Sequence, residues 1–97
     1  MHEVWLRPEA AADVEAIADY TIARWGQRQA RAYVDALRND IASLSTYAKR
    51  FPLHEETRLG LRRMRSGQHL VFYLIGDHAI EVVRVLHERM HPDQASQ

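Results

Sequence analysis

The sequence contains no cysteine, and its 97 residues include only four glycines, three prolines and one lysine. Without cysteine the chain can form neither a disulfide framework nor a thiolate zinc site, so packing has to supply its stability. No apolar run approaches the roughly 20 residues that cross a bilayer, and the first residues lack the basic and apolar parts of a signal peptide. We therefore expect a water-soluble, cytoplasmic protein that does not contact a membrane.

The length of the chain limits its organisation. A chain of 97 residues is long enough for one domain with one core and too short for two. Hydrophobic residues make up 46% and charged residues 27%, which is typical of an ordinary globular protein rather than a disordered one. We expect a single domain over residues 1–97, in which the polar tail 92–97 is flexible.

The charges are unevenly distributed although the net charge is zero. Residues 24–65 carry ten basic and four acidic side chains, whereas residues 1–20 carry one basic and five acidic side chains. Twelve of the thirteen basic residues are arginine, whose planar guanidinium favours bidentate contacts with carboxylates or phosphates. The zero net charge argues against binding of free nucleic acid. This pattern favours an acidic partner.

The first half of the chain predicts a strand followed by two helices. Val4 to Arg7 favours a strand, Pro8 suits the first turn of a helix, and Gly26 suits a helix end. A second helix is expected from Gln27, which completes an antiparallel helical hairpin. The apolar stripe of the first helix is Ala11, Val14, Ile17, Ala18, Thr21 and Trp25, and that of the second is Ala30, Tyr33, Val34, Leu37, Ile41, Leu44 and Ala48.

The second half predicts three antiparallel strands. They are expected at residues 59–65, 68–75 and 79–87, separated by plausible hairpin turns. The strand 68–75 is apolar on both faces and is therefore expected at the centre of the sheet. The predicted fold is α+β with the order β-α-α-β-β-β, in which the helical hairpin packs on one face of a small, mainly antiparallel sheet.

The string Val83-Arg84-Val85-Leu86-His87-Glu88-Arg89-Met90 resembles the signature that closes many ParE toxin sequences of the RelE/ParE superfamily. The resemblance extends from Val4 to about Met90. The chain departs from it where many relatives carry an aspartate directly after the methionine, because His91-Pro92 comes before Asp93 here. Supporting pieces are Ala12-Asp13-Val14 with Ile17 and Tyr20, Trp25-Gly26, Ala30 with Tyr33, and His69-Leu70-Val71-Phe72-Tyr73.

This resemblance implies the toxin of a type II toxin-antitoxin system. Members of the family pair with a ParD-like antitoxin and poison DNA gyrase by binding, and a toxin dimer within a hetero-oligomer is compatible with such pairing. RelE-like relatives instead cut messenger RNA on the ribosome, so superfamily membership leaves an enzymatic alternative open. A third alternative is a toxin that has lost its activity and still binds its antitoxin.

Candidate catalytic residues exist for the enzymatic alternative. His87 could act as a base and Tyr73 as an acid, with Arg62, Arg63 and Arg84 holding phosphate. RelE-type enzymes typically carry several lysines near that site, whereas this chain has only Lys49. We therefore expect a binding toxin without catalytic residues, without a cofactor and without a metal, since the six histidines lack the close spacing of a metal site.

The residues expected to bind the antitoxin or gyrase all lie in the second half of the chain. They are Arg58, Arg62, Arg63, Arg65, Tyr73, Arg84, His87, Arg89 and Met90.

Structural interpretations of the same residues stay open beside this one. His87 could be a structural residue that caps a strand end, grouped on one face with Val83 and Val85. Arg84, expected on the opposite face with Ile80, Val82 and Leu86, could form a buried ion pair with Asp13 or Glu15. The arginine run could protect a sheet edge from aggregation, and the aromatic residues Tyr20, Trp25 and Tyr33 are expected in core or hairpin packing.

Overall fold

A computed structural model describes residues 2–54 and 60–90 of the chain. The elements are β1 (Glu3–Leu6), α1 (Pro8–Trp25), α2 (Gln27–Tyr47), a 3₁₀ turn (Ala48–Arg50), β2 (Arg62–Ser66), β3 (His69–Ile75) and β4 (Ala79–His87). This order confirms the predicted α+β fold. The predicted flexible tail 92–97 and the candidate residue Arg58 lie outside the described residues.

The two helices begin and end where their sequence signals predict. Pro8 occupies the first turn of α1, and Gly26 ends the helix with a φ of +86° while its N–H donates to the carbonyl of Ile22. Within α2, the predicted stripe is buried at Ala30, Val34, Leu37, Ile41 and Leu44, and Tyr33 is half-buried. The predicted stripe of α1 was wrong at both ends. Ala11 and Trp25 are exposed, because the face that packs on the sheet is formed by Ala10, Val14, Ile17 and Thr21.

The four strands form one mixed sheet in the order β1-β4-β3-β2. β1 runs parallel to β4, and the other neighbours are antiparallel, so β3 lies inside the sheet as predicted. β2 is an edge strand and starts at Arg62, not at residue 59. Gly60, with a φ of +71°, and Leu61 precede the strand. The β2–β3 turn has Gly67 with a φ of +60° at its first central position, as in a type II′ turn.

A β-bulge in β4 changes which side chains face the helices. Arg84 lies opposite Phe72, and Val82 lies opposite Tyr73, so Val83 has no partner of its own on β3. The inserted residue reverses the alternation of side chains along the strand. The two predicted face groupings of β4 were therefore wrong. Ile80, Val82 and Val85 belong to the core under the helices, whereas Val83 and Leu86 pack in the cluster on the opposite face.

The sheet separates two apolar clusters of unequal size. The larger cluster lies between the sheet and the helical hairpin and includes Val14, Leu37 and Tyr73. The smaller cluster contains Leu61 and Phe72. Neither helix within residues 2–54 and 60–90 combines the length and apolar character that a membrane span requires.

Candidate functional site

Asp13 joins α1 to the second half of β4. The Nε and Nη2 atoms of Arg84 donate to its two carboxylate oxygens at 2.7 and 2.8 Å, and the N–H of Val85 donates to Oδ2 at 2.9 Å. The hydrogen bond that Arg84 donates to Asp13 raises the pKa of Arg84, so this guanidinium stays charged. Of the two acids predicted to pair with Arg84, the structure selects Asp13, and the pair is partly rather than fully buried.

A groove of about 580 Å³ lies beside this ion pair, between the C-terminal half of α1 and the end of β4. It contains Arg84 to Met90, which is the whole arginine and histidine string except Val83, and a row of aromatic rings. Its lining residues are Asp13, Ala16, Ile17, Tyr20, Thr21, Arg24, Trp25, Tyr33, Gln68, His69, Arg84, Val85, Leu86, His87, Glu88, Arg89 and Met90.

Four rings follow one another along this groove in edge-on contacts. The ring centroids of Trp25 and Tyr33 are 6.3 Å apart, those of Tyr33 and His69 are 5.6 Å apart, and those of His69 and His87 are 5.5 Å apart. Tyr33 is half-buried and also accepts a hydrogen bond from the N–H of Gln68 at 3.0 Å. The helical hairpin is therefore tied through this row to the β2–β3 turn and to the end of β4.

The two histidines of this row have different surroundings. The hydroxyl of Tyr33 lies 2.6 Å from Nδ1 of His69 and donates to it in the tautomer that leaves Nδ1 unprotonated. Burial lowers the pKa of His69, the nearby His87 lowers it further, and Glu88 partly offsets these effects. Nδ1 of His87 accepts a hydrogen bond from the N–H of Arg89 at 3.2 Å, which is the strand-end role that the sequence left open.

The arginines of β2 lie along the sheet edge and have contacts within the chain. Arg62 donates to the carbonyl of Phe51 at 2.7 Å, and Nη1 of Arg63 lies 3.3 Å from Nδ1 of His54. Arg65 forms an ion pair with Glu88, which follows β4, although the Arg65 side chain remains 60% exposed. The structure thus brings Arg65 towards the groove and leaves Arg62 and Arg63 at the other end of the strand.

Tyr73, a candidate partner-binding residue, is fully buried in the core under the helices. Its hydroxyl donates to the carbonyl of Ala48 at 2.5 Å, and burial raises its pKa to about 12. The prediction that Tyr73 binds a partner was therefore wrong, because its side chain does not reach the surface. The same burial removes it from any position where it would protonate a leaving group.

Several groove residues were not among the candidate site residues, and Tyr20 and Trp25 are the most exposed aromatic ones. Tyr20 and Trp25 were expected in core or hairpin packing, but their side chains are 60% and 44% exposed. Trp25 does contact the hairpin ring of Tyr33, so that part of the expectation was correct. One sequence signal could have indicated the groove face of α1: Tyr20 and Arg24 are four residues apart, so they share one face of the helix, next to the buried stripe. No group of three or more potential metal ligands occurs within the described ranges.

The chain is thus a small α+β protein whose surface groove is lined by aromatic and arginine side chains. The family model described as the ParE toxin of type II toxin-antitoxin system, parDE, matches residues 4–92. The chain therefore belongs to the ParE toxin family, as the string at the end of its last strand predicted.

Curated relatives support the same assignment. The chain is 39% identical to Toxin ParE1 of Mycobacterium tuberculosis (strain ATCC 25618 / H37Rv) over 90 residues, which are 92% of each chain. It is 37% identical to Toxin ParE1 of Caulobacter vibrioides over 86 residues, with 89% of this chain and 88% of the relative covered. Toxin ParE of Escherichia coli is 40% identical over 87 residues, with 88% and 84% covered.

A solved structure confirms the fold. A chain of the chromosomal ParDE TA system from P. aeruginosa superposes with a TM-score of 0.79, covering 90% of this chain and 96% of that one. The two sequences are 19% identical, so this likeness concerns the fold alone.

Proposed function

We propose that this ParE-family chain inhibits DNA gyrase in the cytoplasm by binding to it, and that a ParD-like antitoxin neutralises it. The observation that carries the proposal is the groove between α1 and β4, where exposed aromatic and arginine side chains surround the family's characteristic string. Its exposed rings include Tyr20 and Trp25, and the groove ends at Met90, which is 46% exposed. Exposed apolar patches rimmed by polar groups are typical of protein interaction sites.

The charges around the groove favour an acidic protein segment as the partner. Arg24 and Arg89 line it, and neither forms an ion pair with any residue in the described part of the chain. An antitoxin segment that carries carboxylates and apolar side chains is complementary to this surface. Its carboxylates form charge-assisted hydrogen bonds with the arginines, and its apolar side chains pack on the exposed rings. Such a segment would cover the aromatic rings and prevent the toxin from reaching its target.

A supercoiling assay tests the target. Purified chain added in excess to DNA gyrase should inhibit supercoiling and trap cleaved DNA, and addition of the antitoxin should reverse both effects. Gyrase that keeps its full activity without accumulating cleaved DNA would overturn the proposed target. Binding of the antitoxin is measured in a separate titration, so that antitoxin affinity and gyrase inhibition are judged independently.

A matched pair of tryptophan variants tests the groove. Trp25 lies in the groove at 44% exposure, whereas Trp5 lies on β1, outside it, at 62% exposure. Trp25→Ala should weaken antitoxin binding or gyrase inhibition, because aromatic anchors contribute much of the binding energy at interfaces. Trp5→Ala should leave both unchanged. Equal effects of the two substitutions would contradict the assignment of the groove.

The enzymatic alternative has less support. Its acid, Tyr73, is buried and bonded to the carbonyl of Ala48. Arg84 is engaged by Asp13. Mapping of transcript ends after brief induction distinguishes the two activities, since ribosome-dependent cleavage would give codon-phased cuts that His87→Ala abolishes. Induction without antitoxin that leaves growth unimpaired would indicate the third alternative, an inactive toxin.

A further inference from the structure

β1 forms one outer edge of the sheet, and among the described residues it pairs only with β4. Edge strands commonly carry charges, proline or a covering segment that prevents pairing with another chain. The opposite edge, β2, has its arginines and a bridge to Leu53. β1 has instead two large apolar side chains at the surface, since Trp5 is 62% exposed and Leu6 is 36% exposed. This edge is therefore open to a further strand.

The hydrogen bonds to β4 determine which backbone groups of β1 face outward. The N–H of Arg7 donates to the carbonyl of Val82 at 2.9 Å, so residue 7 directs its backbone towards β4. Successive residues of a strand alternate between its two sides, so Trp5 faces β4 as well. The N–H and C=O groups of Val4 and Leu6 therefore point away from the sheet, and no turn, loop or side chain of the described residues bonds to them.

These outward groups fit a second copy of β1 in antiparallel orientation. In a hydrogen-bonded antiparallel pair, two opposite residues exchange both their N–H···O bonds. When Trp5 lies opposite Trp5 of the second copy, Val4 lies opposite Leu6 on each side of a twofold axis, and these two pairs exchange four hydrogen bonds. Parallel β1 strands would use the same groups only one residue out of step, which a twofold axis does not allow.

The neighbours of β1 disfavour the other antiparallel registers. A twofold axis at Val4 would pair Leu6 with His2, whose N–H already donates to the carbonyl of Ser45 at 3.0 Å. An axis at Leu6 would pair Val4 with Pro8, which has no N–H. Both registers form fewer hydrogen bonds than the one with its axis between the two tryptophans.

The side chains of this register are complementary on the face away from the helices. Glu3 lies opposite Arg7 of the second copy, which places opposite charges across both ends of the pair. Arg7 already forms an ion pair with Glu81, and its guanidinium has further N–H donors for a second carboxylate. The two Trp5 rings lie directly opposite each other, and cross-strand aromatic pairs of this kind stabilise sheets.

The face towards the helices is apolar. Val4 packs against the core under the helices, and a cavity of about 240 Å³ beside it is lined by Val4, Leu6, Val14, Arg38, Ile41 and Ala42. Directly opposite residues of an antiparallel pair share a face, so Leu6 of the second copy lies next to Val4 and this cavity. Each copy thus offers a leucine to the cavity of the other.

We propose that β1 binds β1 of a second copy of this chain, so that the two four-stranded sheets join into one around a twofold axis at Trp5. The inference goes beyond the proposed function, because no residue of β1 lines the groove and the pairing leaves the groove open. The interface is small, so we expect a weak dimer that forms in the micromolar range.

Sedimentation of the purified chain over a range of concentrations tests the dimer. The average mass should rise from that of a monomer towards that of a dimer as the concentration increases. Trp5→Ala should weaken self-association by about tenfold or more, because central aromatic residues contribute much of the binding energy of an interface. Trp25→Ala, which alters the groove, is the matched control and should dimerise normally.

A charge substitution tests the ends of the pair. Glu3→Arg places an arginine opposite Arg7 of the second copy and should weaken self-association roughly threefold or more, since like charges directly opposite are destabilising. Asp19→Arg makes the same change of charge at an exposed position of α1 and should leave self-association unchanged. Equal weakening by the two substitutions would show that net charge, and not the pairing of β1, controls association.

Single cysteines test the register, because the chain has no cysteine of its own. Trp5→Cys places two thiols opposite each other across the axis, within the Cα separation of about 4.4–6.8 Å that a disulfide spans. Oxidised glutathione should therefore cross-link this variant in concentrated solution, two thiols being oxidised for each glutathione disulfide reduced. Leu6→Cys places its two thiols apart, each opposite Val4, and should cross-link about tenfold more slowly or less.

Amide exchange in the unmodified chain decides the question if the variants do not fold. The Leu6 amide should exchange about tenfold or more slowly in concentrated than in dilute solution, as expected for a newly formed backbone hydrogen bond. The Arg7 amide, already bonded to Val82, is the internal control and should exchange at the same rate in both.

Three further results would overturn the inference: a chain that stays monomeric at its highest soluble concentration, self-association that Trp25→Ala abolishes and Trp5→Ala preserves, or equal cross-linking of the two cysteine variants. None of these results bears on gyrase or on the antitoxin. Loss of gyrase inhibition would contradict the proposed function and leave the pairing of β1 intact.

Discussion

The hydroxyl of Tyr33 in α2 lies 2.6 Å from Nδ1 of His69 at the start of β3. The same hydroxyl accepts from the N–H of Gln68, so one side chain of the helical hairpin satisfies two polar groups of the β2–β3 turn. The β2–β3 turn is thereby held against the helices, and the row of rings that continues to His87 lines the groove. Four predictions test how this arrangement is built and what it does.

Gly67→Ala should destabilise the protein more than Gly60→Ala. Both glycines have a positive φ, +60° and +71°, so both substitutions carry the backbone cost of roughly 1–2 kcal/mol. A Cβ at Gly67 would also lie 2.6 Å from the hydroxyl of Tyr33, whereas a Cβ at Gly60 meets no atom of residues 2–54 and 60–90 within 4 Å. Chemical denaturation measures the difference, and equal losses would show that the turn moves freely away from Tyr33.

Asp13→Asn should lower the free energy of unfolding by roughly 1.5–3 kcal/mol, the range for hydrogen bonds to charged groups. The substitution removes the charge that Arg84 faces and one of the acceptors shared by Arg84 and Val85. Asp19→Asn, an exposed position on the same helix, is the matched control and should change stability little. If both variants unfold at the same denaturant concentration, Asp13 does not anchor β4.

Stability should fall when the pH is lowered through the range just below 6.5, because of His69. Burial and the neighbouring His87 lower the pKa of His69 in the folded protein. The unfolded chain therefore binds more protons at His69 than the folded protein does. The stability contributed by neutral His69 is complete above pH 6.5 and is lost as the pH falls towards the pKa of the folded protein. His69→Gln should flatten this dependence in unfolding experiments. An NMR titration that places the His69 pKa at or above 6.5 would contradict the prediction.

Tyr73→Phe should preserve toxicity while costing stability. The substitution leaves the carbonyl of Ala48 without its hydrogen bond inside the core, which costs on the order of 1–3 kcal/mol. A binding toxin needs no proton donor at this position, so growth inhibition after induction should persist once folding is verified by circular dichroism. If a folded Tyr73→Phe variant lost toxicity and no longer cut the transcripts that the unmodified protein cuts, the enzymatic alternative would be favoured.

The sequence determined those features that depend on neighbours in the chain. Pro8 and Gly26 set the bounds of α1, the apolar spacing of α2 set its buried face, and the string ending at Met90 identified the family. Local signals suffice because backbone preferences and side-chain periodicity act over a few residues. The chemistry of Arg84 was also predictable, since a guanidinium among core residues requires a carboxylate.

Only the tertiary structure decided the composition of the groove. The bulge at Val83 regrouped the side chains of β4, the packing of the helices buried Tyr73, and the same packing left Tyr20 and Trp25 exposed. These outcomes depend on register between segments far apart in the chain, and a shift of one residue moves every later side chain to the other face. The alternation of side chains within one strand does not predict such a shift.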